Sequence, residues 1–121
     1  MNDLTMGPVE ARFADLIWDN EPITASELAK LADWSLKWKK TTAYTALKRL
    51  CEKGIFRNDG GTVTAVMTRE EYRSHQSRRF LEHNCGGSLP AFIAAFTSPG
   101  SLSRADLQEI RRMLDEYEKG V

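Results

Sequence analysis

The residues with the most informative chemistry lie between Lys37 and Leu50, a segment rich in lysines and in hydroxyl-bearing side chains. If residues from about 40 to 53 are helical, the apolar ones recur at intervals of three and four and share one face; they are Ala43, Ala46, Leu47 and Leu50. The polar ones point the other way; they are Thr41, Tyr44, Thr45 and Lys48. Hydroxyls and rings can contact base edges in a major groove while cations neutralise phosphates. The polar side of this helix therefore predicts sequence-specific DNA binding.

The charge distribution supports the same prediction, although 17 basic and 17 acidic residues give the chain a formal net charge of zero. Residues 34–57 contain seven basic side chains and one acidic side chain, a local charge of +6, whereas residues 1–33 contain two basic and seven acidic ones. Basic charge clustered on one element is typical of a nucleic-acid contact surface. The alternative is a solvated helix face without a partner.

Composition and motifs exclude several other classes. A chain of 121 residues with 41% hydrophobic and 28% charged residues is typical of one globular domain, or of one domain plus an element completed by a partner. The first residues lack the pattern of a signal peptide and no apolar run could span a bilayer, so we expect a cytoplasmic protein without membrane insertion. Neither a nucleophile motif nor a phosphate-binding glycine loop is present, so we expect neither an enzyme nor a bound cofactor.

Metal binding is also not expected. The nearest candidate ligands are His75, His83 and Cys85, which are too few and too poorly spaced for a metal site. Cys51 and Cys85 are expected to be reduced thiols, since no export signal precedes them.

The elements that position the polar helix are predicted as follows. Pro8 begins a first helix that ends near Asn20, and Thr24 with Glu27 forms a capping box at the start of a second. The end of this second helix is not defined by Gly or Pro, and Trp34, Leu36 and Trp38 are expected to pack in the turn that follows. The third helix stops at Gly54.

After Gly54 the periodicity changes to that of strands. Segments 55–57 and 62–67 are predicted as two strands of a hairpin, joined by Asn58-Asp59-Gly60-Gly61. Three helices followed by a hairpin is the order of a winged helix-turn-helix, although a generic small α+β domain has the same order. We place this domain at residues 1–68.

Residues 69–121 are predicted to form three further helices that cannot build a core alone. Thr68, Ser88 and Ser103 are placed to cap them. Their apolar residues are sparse and fit a dimerisation region completed by a second copy of the chain; the candidates are Tyr72, Phe80, Phe92, Ile93, Phe96, Leu107, Ile110 and Leu114. The alternative is that this region folds back on the winged domain of its own chain.

From residue 10 to 117 the chain resembles the BlaI/MecI/CopY family of bacterial repressors, the penicillinase repressor family. The resemblance rests on Glu10 and Trp18 in the first helix, on Trp38, and on the run Thr42-Ala43-Tyr44-Thr45-Ala46-Leu47-Lys48-Arg49-Leu50 followed by Lys53-Gly54. Gly86-Gly87-Ser88, Phe92-Ile93, Phe96 and Leu102-Ser103 match its C-terminal region.

The resemblance implies a mainly α protein: a winged helix-turn-helix that binds a palindromic operator, followed by a helical dimerisation region. At matching positions it implies operator contacts by Thr42, Tyr44, Thr45, Lys48 and Arg49, and phosphate contacts by Lys39 and Lys40. Thr42 is alternatively a packing residue beneath the helix. The expected function is a homodimeric repressor on double-stranded DNA; the competing interpretation is a winged-helix module that binds an acidic protein.

Departures from the family pattern concern the wing and the inducing signal. Asp59 at the wing tip would be repelled by phosphate, so we expect the wing to add little affinity. Copper-responsive relatives have paired Cys-x-Cys motifs, whereas this C-terminal region has only Cys85. Relatives inactivated by a sensor protease are cut at an Asn-Phe bond, which aligns with Ala95-Phe96 here. A sensor protease that inactivates the repressor stays open as a partner, but it loses its best residue-level support.

Overall fold

The structure is a computed structural model that describes residues 4–98, 100 and 102–120. Within these residues the elements follow in the order α1 (Pro8–Asn20), β1 (Ile23–Thr24), α2 (Ala25–Leu36), α3 (Lys40–Glu52), β2 (Phe56–Asp59), β3 (Thr62–Ala65), α4 (Arg69–Asn84), α5 (Leu89–Thr97) and α6 (Arg104–Glu118). The predicted fold class is confirmed: a mainly helical chain with three helices, a hairpin wing and then further helices. The chain divides into two compact units, Met1–Arg78 and Arg79–Val121.

The first unit is built around a core of apolar side chains from α1, α2, α3 and the hairpin. Phe13 and Ile17 of α1, Leu28 of α2, Leu50 of α3 and Phe56 of β2 are all fully buried. Burying a side chain of this size contributes about 1.5–3 kcal/mol relative to leaving it in water. This core therefore holds the three helices in fixed relation and determines which side of α3 reaches solvent.

Side-chain caps fix the starts of several helices, as the sequence predicts. The hydroxyl of Thr24 accepts a hydrogen bond from Glu27 N at 3.1 Å, and that of Thr68 accepts one from Glu71 N at 3.0 Å. The carboxylate of Glu71 in turn accepts from Thr68 N at 3.0 Å, which completes a reciprocal capping box. Ser88 caps α5 and Ser103 caps α6 in the same way. These caps set the bounds of the helices within one residue of their predicted starts.

A three-stranded antiparallel sheet in the order β1-β3-β2 forms the wing and its base. The hairpin pairs Phe56 with Ala65 and Asp59 with Thr62. The first strand therefore begins one residue and ends two residues later than the predicted segment 55–57, and the second begins at residue 62 as predicted but ends two residues before residue 67. The third strand, β1, pairs Ile23 with Val63 and was not predicted. Because β1 directly precedes α2, this pairing attaches the wing to the start of the helix-turn-helix.

The second unit has little buried apolar surface. None of the described residues in α5 or α6 is buried, although both helices have large apolar side chains. The ring of Phe92 contacts Phe80 at 5.9 Å between centroids in an edge-on arrangement, and it contacts Phe96 at the same distance. An apolar hollow of about 300 Å³ lies beside them, lined by Phe92, Ile93, Phe96, Leu102, Asp106, Glu109 and Ile110.

Candidate nucleic-acid interface

Helix α3 presents two adjacent rows of polar side chains to solvent. Ala43, Leu47 and Leu50 are buried and Ala46 is half-buried, so the predicted apolar face is the inward one. The first row consists of Thr41, Tyr44 and Lys48, and the second row of Thr42, Thr45 and Arg49; all six are exposed. Each row follows the i, i+3, i+7 spacing that places side chains along one line of a helix. The structure thus brings these six predicted side chains of α3 to one exposed surface.

Contacts within the rows restrict what two of these side chains can offer. The hydroxyl of Thr45 donates to the carbonyl oxygen of Thr41 at 2.9 Å, so its proton is used within the helix. The oxygen can still accept a hydrogen bond, and the methyl group remains available to an apolar partner. The Nζ atom of Lys40 lies 5.9 Å from the centroid of the Tyr44 ring, close enough for a weak cation–π attraction.

The turn before α3 places basic side chains at the start of the helix. Lys37 adopts a left-handed conformation at φ 60°, and Trp38 packs on Phe13 with ring centroids 5.0 Å apart. Lys39 is the N-cap residue of α3, and an ammonium group can only donate hydrogen bonds. The backbone N–H groups in the first turn of α3 are therefore suited to an external acceptor such as a phosphate oxygen.

A hollow of about 400 Å³ lies between α2 and the start of α3, and three lysines surround it. Its lining residues are Ser26, Ala29, Lys30, Asp33, Trp38, Lys39 and Lys40. Sequence reasoning missed Lys30, because it lies in the acidic first third of the chain. Its position on α2, eight residues from Trp38, gave no indication that the two would line one surface. The hollow adds a cation beside Lys39 and Lys40.

A second hollow, of about 510 Å³, separates the start of α1 from the second row of α3. It is lined by Gly7, Val9, Glu10, Trp38, Thr41, Thr42, Thr45, Ala46 and Arg49. Thr42 is exposed on this side, so the alternative in which it packs beneath the helix does not describe its position. The second row therefore faces a concave surface shared with α1.

Two of the seven basic side chains between residues 34 and 57 form ion pairs within the chain. Lys53 Nζ lies 2.9 Å from Glu10 Oε1 and donates to the carbonyl oxygen of Thr5 at 2.8 Å. Arg57 Nε lies 3.0 Å from Asp59 Oδ2 on the wing. The other five basic residues of the segment are exposed; they are Lys37, Lys39, Lys40, Lys48 and Arg49. The effective cationic surface is therefore α3 with its preceding turn, and not the whole segment.

The wing tip is a tight turn whose acidic residue has a partner. Asn58 Oδ1 accepts a hydrogen bond from Gly61 N at 2.9 Å, and Gly60 and Gly61 both have positive φ angles, as such a turn requires. Because Asp59 pairs with Arg57, the tip is closer to neutral than its sequence alone indicates.

The residues predicted for dimerisation lie in different surroundings. Phe80, Ile93, Phe96, Leu107 and Leu114 are exposed, and Phe92 and Ile110 are half-buried. Tyr72 instead contacts its own chain, because its hydroxyl donates to the carbonyl oxygen of Leu4 at 3.0 Å. Ala95 and Phe96 are both in α5.

Residues 4–98, 100 and 102–120 contain neither a cluster of metal ligands nor a membrane-spanning helix. No three His, Cys, Asp or Glu side chains come close enough together there to hold a metal ion. No helix in this part of the chain combines the length and apolar character needed to cross a bilayer.

Comparison with known proteins agrees with this arrangement. The family model described as "Penicillinase repressor" matches residues 6–116. A curated protein of Latilactobacillus sakei, described as "Uncharacterized 16.5 kDa protein in ptsI 3'region", is 22% identical over 103 residues, which cover 82% of this chain and 70% of that protein. The match to the family model includes α1 to α5 and nearly all of α6.

Proposed function

Because the chain belongs to the penicillinase repressor family of DNA-binding transcriptional repressors, and not to a family of enzymes, we propose how it binds its operator. Two copies bind a palindromic operator in the cytoplasm, each with α3 in the major groove of one half-site. Occupation of the promoter by this dimer blocks transcription sterically. The observation that supports this best is the pair of exposed rows on α3, bordered by lysines at its start.

The two rows have different roles in the proposed complex. Tyr44, Thr45 and Lys48 read base edges: the Thr45 oxygen accepts from an exocyclic amine or its methyl meets a thymine methyl, and Lys48 donates to guanine. Thr41, Thr42 and Arg49 contact base edges or backbone at the border of the groove. Lys39 and Lys40 neutralise phosphates beside the first turn of α3. Hydroxyl, ring and ammonium groups on one helix are suited to specific reading, because they can match several base-edge patterns.

The apolar surface that the second unit leaves exposed supports the proposed dimerisation. We propose that residues 69–121 form the dimerisation region and that residues 1–68 bind DNA. The surface that a second copy covers consists of Phe80, Phe92, Ile93, Phe96, Leu107, Ile110 and Leu114. Stable homodimer interfaces need a contiguous apolar patch of this kind, since a monomer would leave it in water. Two-fold symmetry of the protein would then match two-fold symmetry of the operator.

The first experiment is in vitro selection of duplex DNA with the full chain, followed by mobility-shift titration of the selected sequence. We expect an inverted repeat, with wild-type binding that weakens by several log units of affinity per log unit of salt. Substitutions Thr45→Val and Lys48→Met should each cost about 1–3 kcal/mol of discrimination at one base pair. Arg73→Met, on an exposed arginine of α4, is the matched control and should leave discrimination unchanged.

Two results would contradict the proposal. One is selection of no consensus sequence. The other is a consensus whose discrimination survives substitution of Tyr44, Thr45 and Lys48 together. The dimer is tested separately by sedimentation of Leu114→Asp, which should yield monomers with an intact winged helix by circular dichroism.

A further inference from the structure

The first residue of α4, Arg69, is held to α1 by several contacts at once. Its Nε lies 3.1 Å from Asp15 Oδ1, and its Nη2 lies 2.6 Å from Asp19 Oδ1 and donates to the carbonyl oxygen of Asp15 at 3.2 Å. The guanidinium carbon is 5.6 Å from the centroid of the Trp18 ring. Because a guanidinium is planar and rigid, contacts to two carboxylates and one ring face restrict its orientation in all three directions.

Two neighbouring contacts attach the same end of α4 to the first unit. Trp18 Nε1 donates to the carbonyl oxygen of Met67 at 3.0 Å, just before the helix begins. One turn into α4, the Tyr72 ring lies 5.7 Å from Trp18, and its hydroxyl donates to Leu4 O. We call this cluster the α1–α4 clasp; its five residues are Asp15, Trp18, Asp19, Arg69 and Tyr72.

The clasp lies at the start of α4, where a small change in the direction of the helix gives the largest displacement of its far end. A helix of 16 residues is about 24 Å long at 1.5 Å per residue, so a rotation of about 10° at its base displaces its far end by about 4 Å. That displacement is close to the rise of about 3.4 Å per base pair along DNA. Since α1 also packs on α3 within the same unit, the clasp holds the first turn of α4 in a fixed position relative to the DNA-reading helix.

We propose that Arg69 is a positioning residue that sets the separation between half-sites to which the repressor binds. This rests on the proposed function, in which two copies joined through the far end of α4 and the helices after it place two α3 helices on one duplex. If the clasp holds the start of α4 at one angle, the protein itself determines the separation between the half-sites. Without the clasp, α4 can leave at a range of angles, and the dimer accepts a range of spacings.

A purely stabilising role does not account for this arrangement. The side chains of Arg69, Asp15 and Asp19 are 27%, 52% and 59% exposed, and ion pairs so open to water contribute little to stability. Their combined geometry nevertheless restricts the orientation of the guanidinium, because the two acceptors lie one helical turn apart on α1 and contact its Nε and Nη2 atoms.

The test measures operator spacing with the full chain. Affinity is determined for the selected operator and for duplexes with two and five base pairs added between the half-sites. Wild type should bind both lengthened duplexes much more weakly than the selected operator. In Arg69→Ala this ratio of affinities should fall by about three- to tenfold. Its affinity for a duplex with a single half-site should stay within about twofold, because α3 is unchanged. Arg69→Lys, which retains the charge but cannot hold both acceptors, should be intermediate, and Arg73→Ala should match wild type.

A second readout does not involve DNA. Nitroxide labels at exposed positions Arg12 on α1 and Ser77 on α4, in a Cys51→Ala and Cys85→Ser background diluted with unlabelled protein, report the distance between these helices within one copy. Arg69→Ala should broaden the distance distribution, whereas Arg73→Ala should not. An unchanged distribution together with unchanged spacing discrimination would overturn the proposal. Failure of wild type to bind any two-site duplex would overturn the proposed function, and the spacing role with it.

Discussion

The Nζ atom of Lys53 lies 2.9 Å from Oε1 of Glu10, so the last lysine after α3 is paired with α1. Both side chains are largely shielded from water, at 23% and 19% exposure. Sequence counting assigns Lys53 to the same cationic segment as Lys48, but the structure gives the two lysines different surroundings. One lysine joins α1 to the end of α3, and the other extends into solvent from the first row.

This difference predicts opposite effects for two matched substitutions. Lys53→Met should lower the free energy of unfolding by about 1–3 kcal/mol, because it leaves the carboxylate of Glu10 shielded from water without its partner. The slope of log affinity against log salt should not change. Lys48→Met should leave stability within about 0.5 kcal/mol and reduce that slope by about one unit, because the surface that faces the DNA then carries one cation fewer.

Urea unfolding and mobility shift at four salt concentrations measure both quantities. The assignment would be wrong if Lys53→Met reduced the salt slope as much as Lys48→Met. The double variant Glu10→Gln, Lys53→Met should recover part of the lost stability, since no unpaired charge then remains beside α1.

Lys37 provides a second prediction, since it is the one non-glycine residue with positive φ among the described residues. A left-handed conformation costs an L-residue about 1–2 kcal/mol, whereas glycine adopts it freely at an entropic cost of about 0.5–1 kcal/mol. Lys37→Gly should therefore raise the free energy of unfolding by about 0.5–1 kcal/mol. Lys37→Ala removes the same charge without relieving the backbone, so it should not stabilise. Equal stability of the two variants in urea would contradict this explanation.

Local signals predicted most of the secondary structure. Thr24, Thr68, Ser88 and Ser103 form the predicted caps, because a cap depends on residues three apart and is visible in the sequence. The end of α2 was undefined for a related reason: a lysine, and not a glycine, occupies the left-handed position there. Strand β1 was missed because two residues have no periodicity, and its pairing with Val63 joins positions forty apart.

The candidate site was only partly predictable for the same physical reason. The exposed rows of α3 follow from helical spacing alone, and the structure agrees with them. Which lysines remain available depends on tertiary neighbours, such as Glu10 for Lys53, that no local pattern indicates. Trp38 packs on Phe13 as expected in the turn, whereas Trp34 is 78% exposed. Nothing in the structure explains that exposure.

Cys51 gives a prediction for pH dependence. Partial burial raises the pKa of its thiol above the ordinary value, and the charge of Glu52 raises it further. The folded state therefore holds this proton more tightly than the unfolded chain. Its contribution to stability is fully present below the pKa of the thiol in the unfolded chain and is lost as pH rises through the higher pKa of the folded state.

The thiol can be isolated in a Cys85→Ser variant. The rate at which iodoacetamide alkylates Cys51 should increase at a higher pH in the folded protein than in the same chain in denaturant. Glu52→Gln should move the folded profile towards lower pH, because it removes the neighbouring charge. Coincident profiles in the folded and denatured states would show that the environment of Cys51 does not disfavour its thiolate.

The wing supplies the last prediction, through the exposed pair of Arg57 and Asp59. Their side chains are 63% and 71% exposed, so their attraction adds at most about 1 kcal/mol to stability. The pair has a larger consequence for DNA. Asp59 opposes phosphate and also holds Arg57, so one carboxylate reduces the local positive charge and restricts the only arginine of the hairpin.

Asp59→Asn should therefore increase operator affinity severalfold at low salt and steepen the salt slope by about one unit, as Arg57 becomes available to a phosphate. Stability should change by less than about 0.5 kcal/mol, because the pair is exposed. Asp115→Asn on α6 removes the same charge from an exposed site and controls for net charge alone. In the double variant Arg57→Met, Asp59→Asn the added slope should disappear. If Asp59→Asn and Asp115→Asn raise affinity equally, the gain comes from overall charge, and the wing does not approach the DNA backbone.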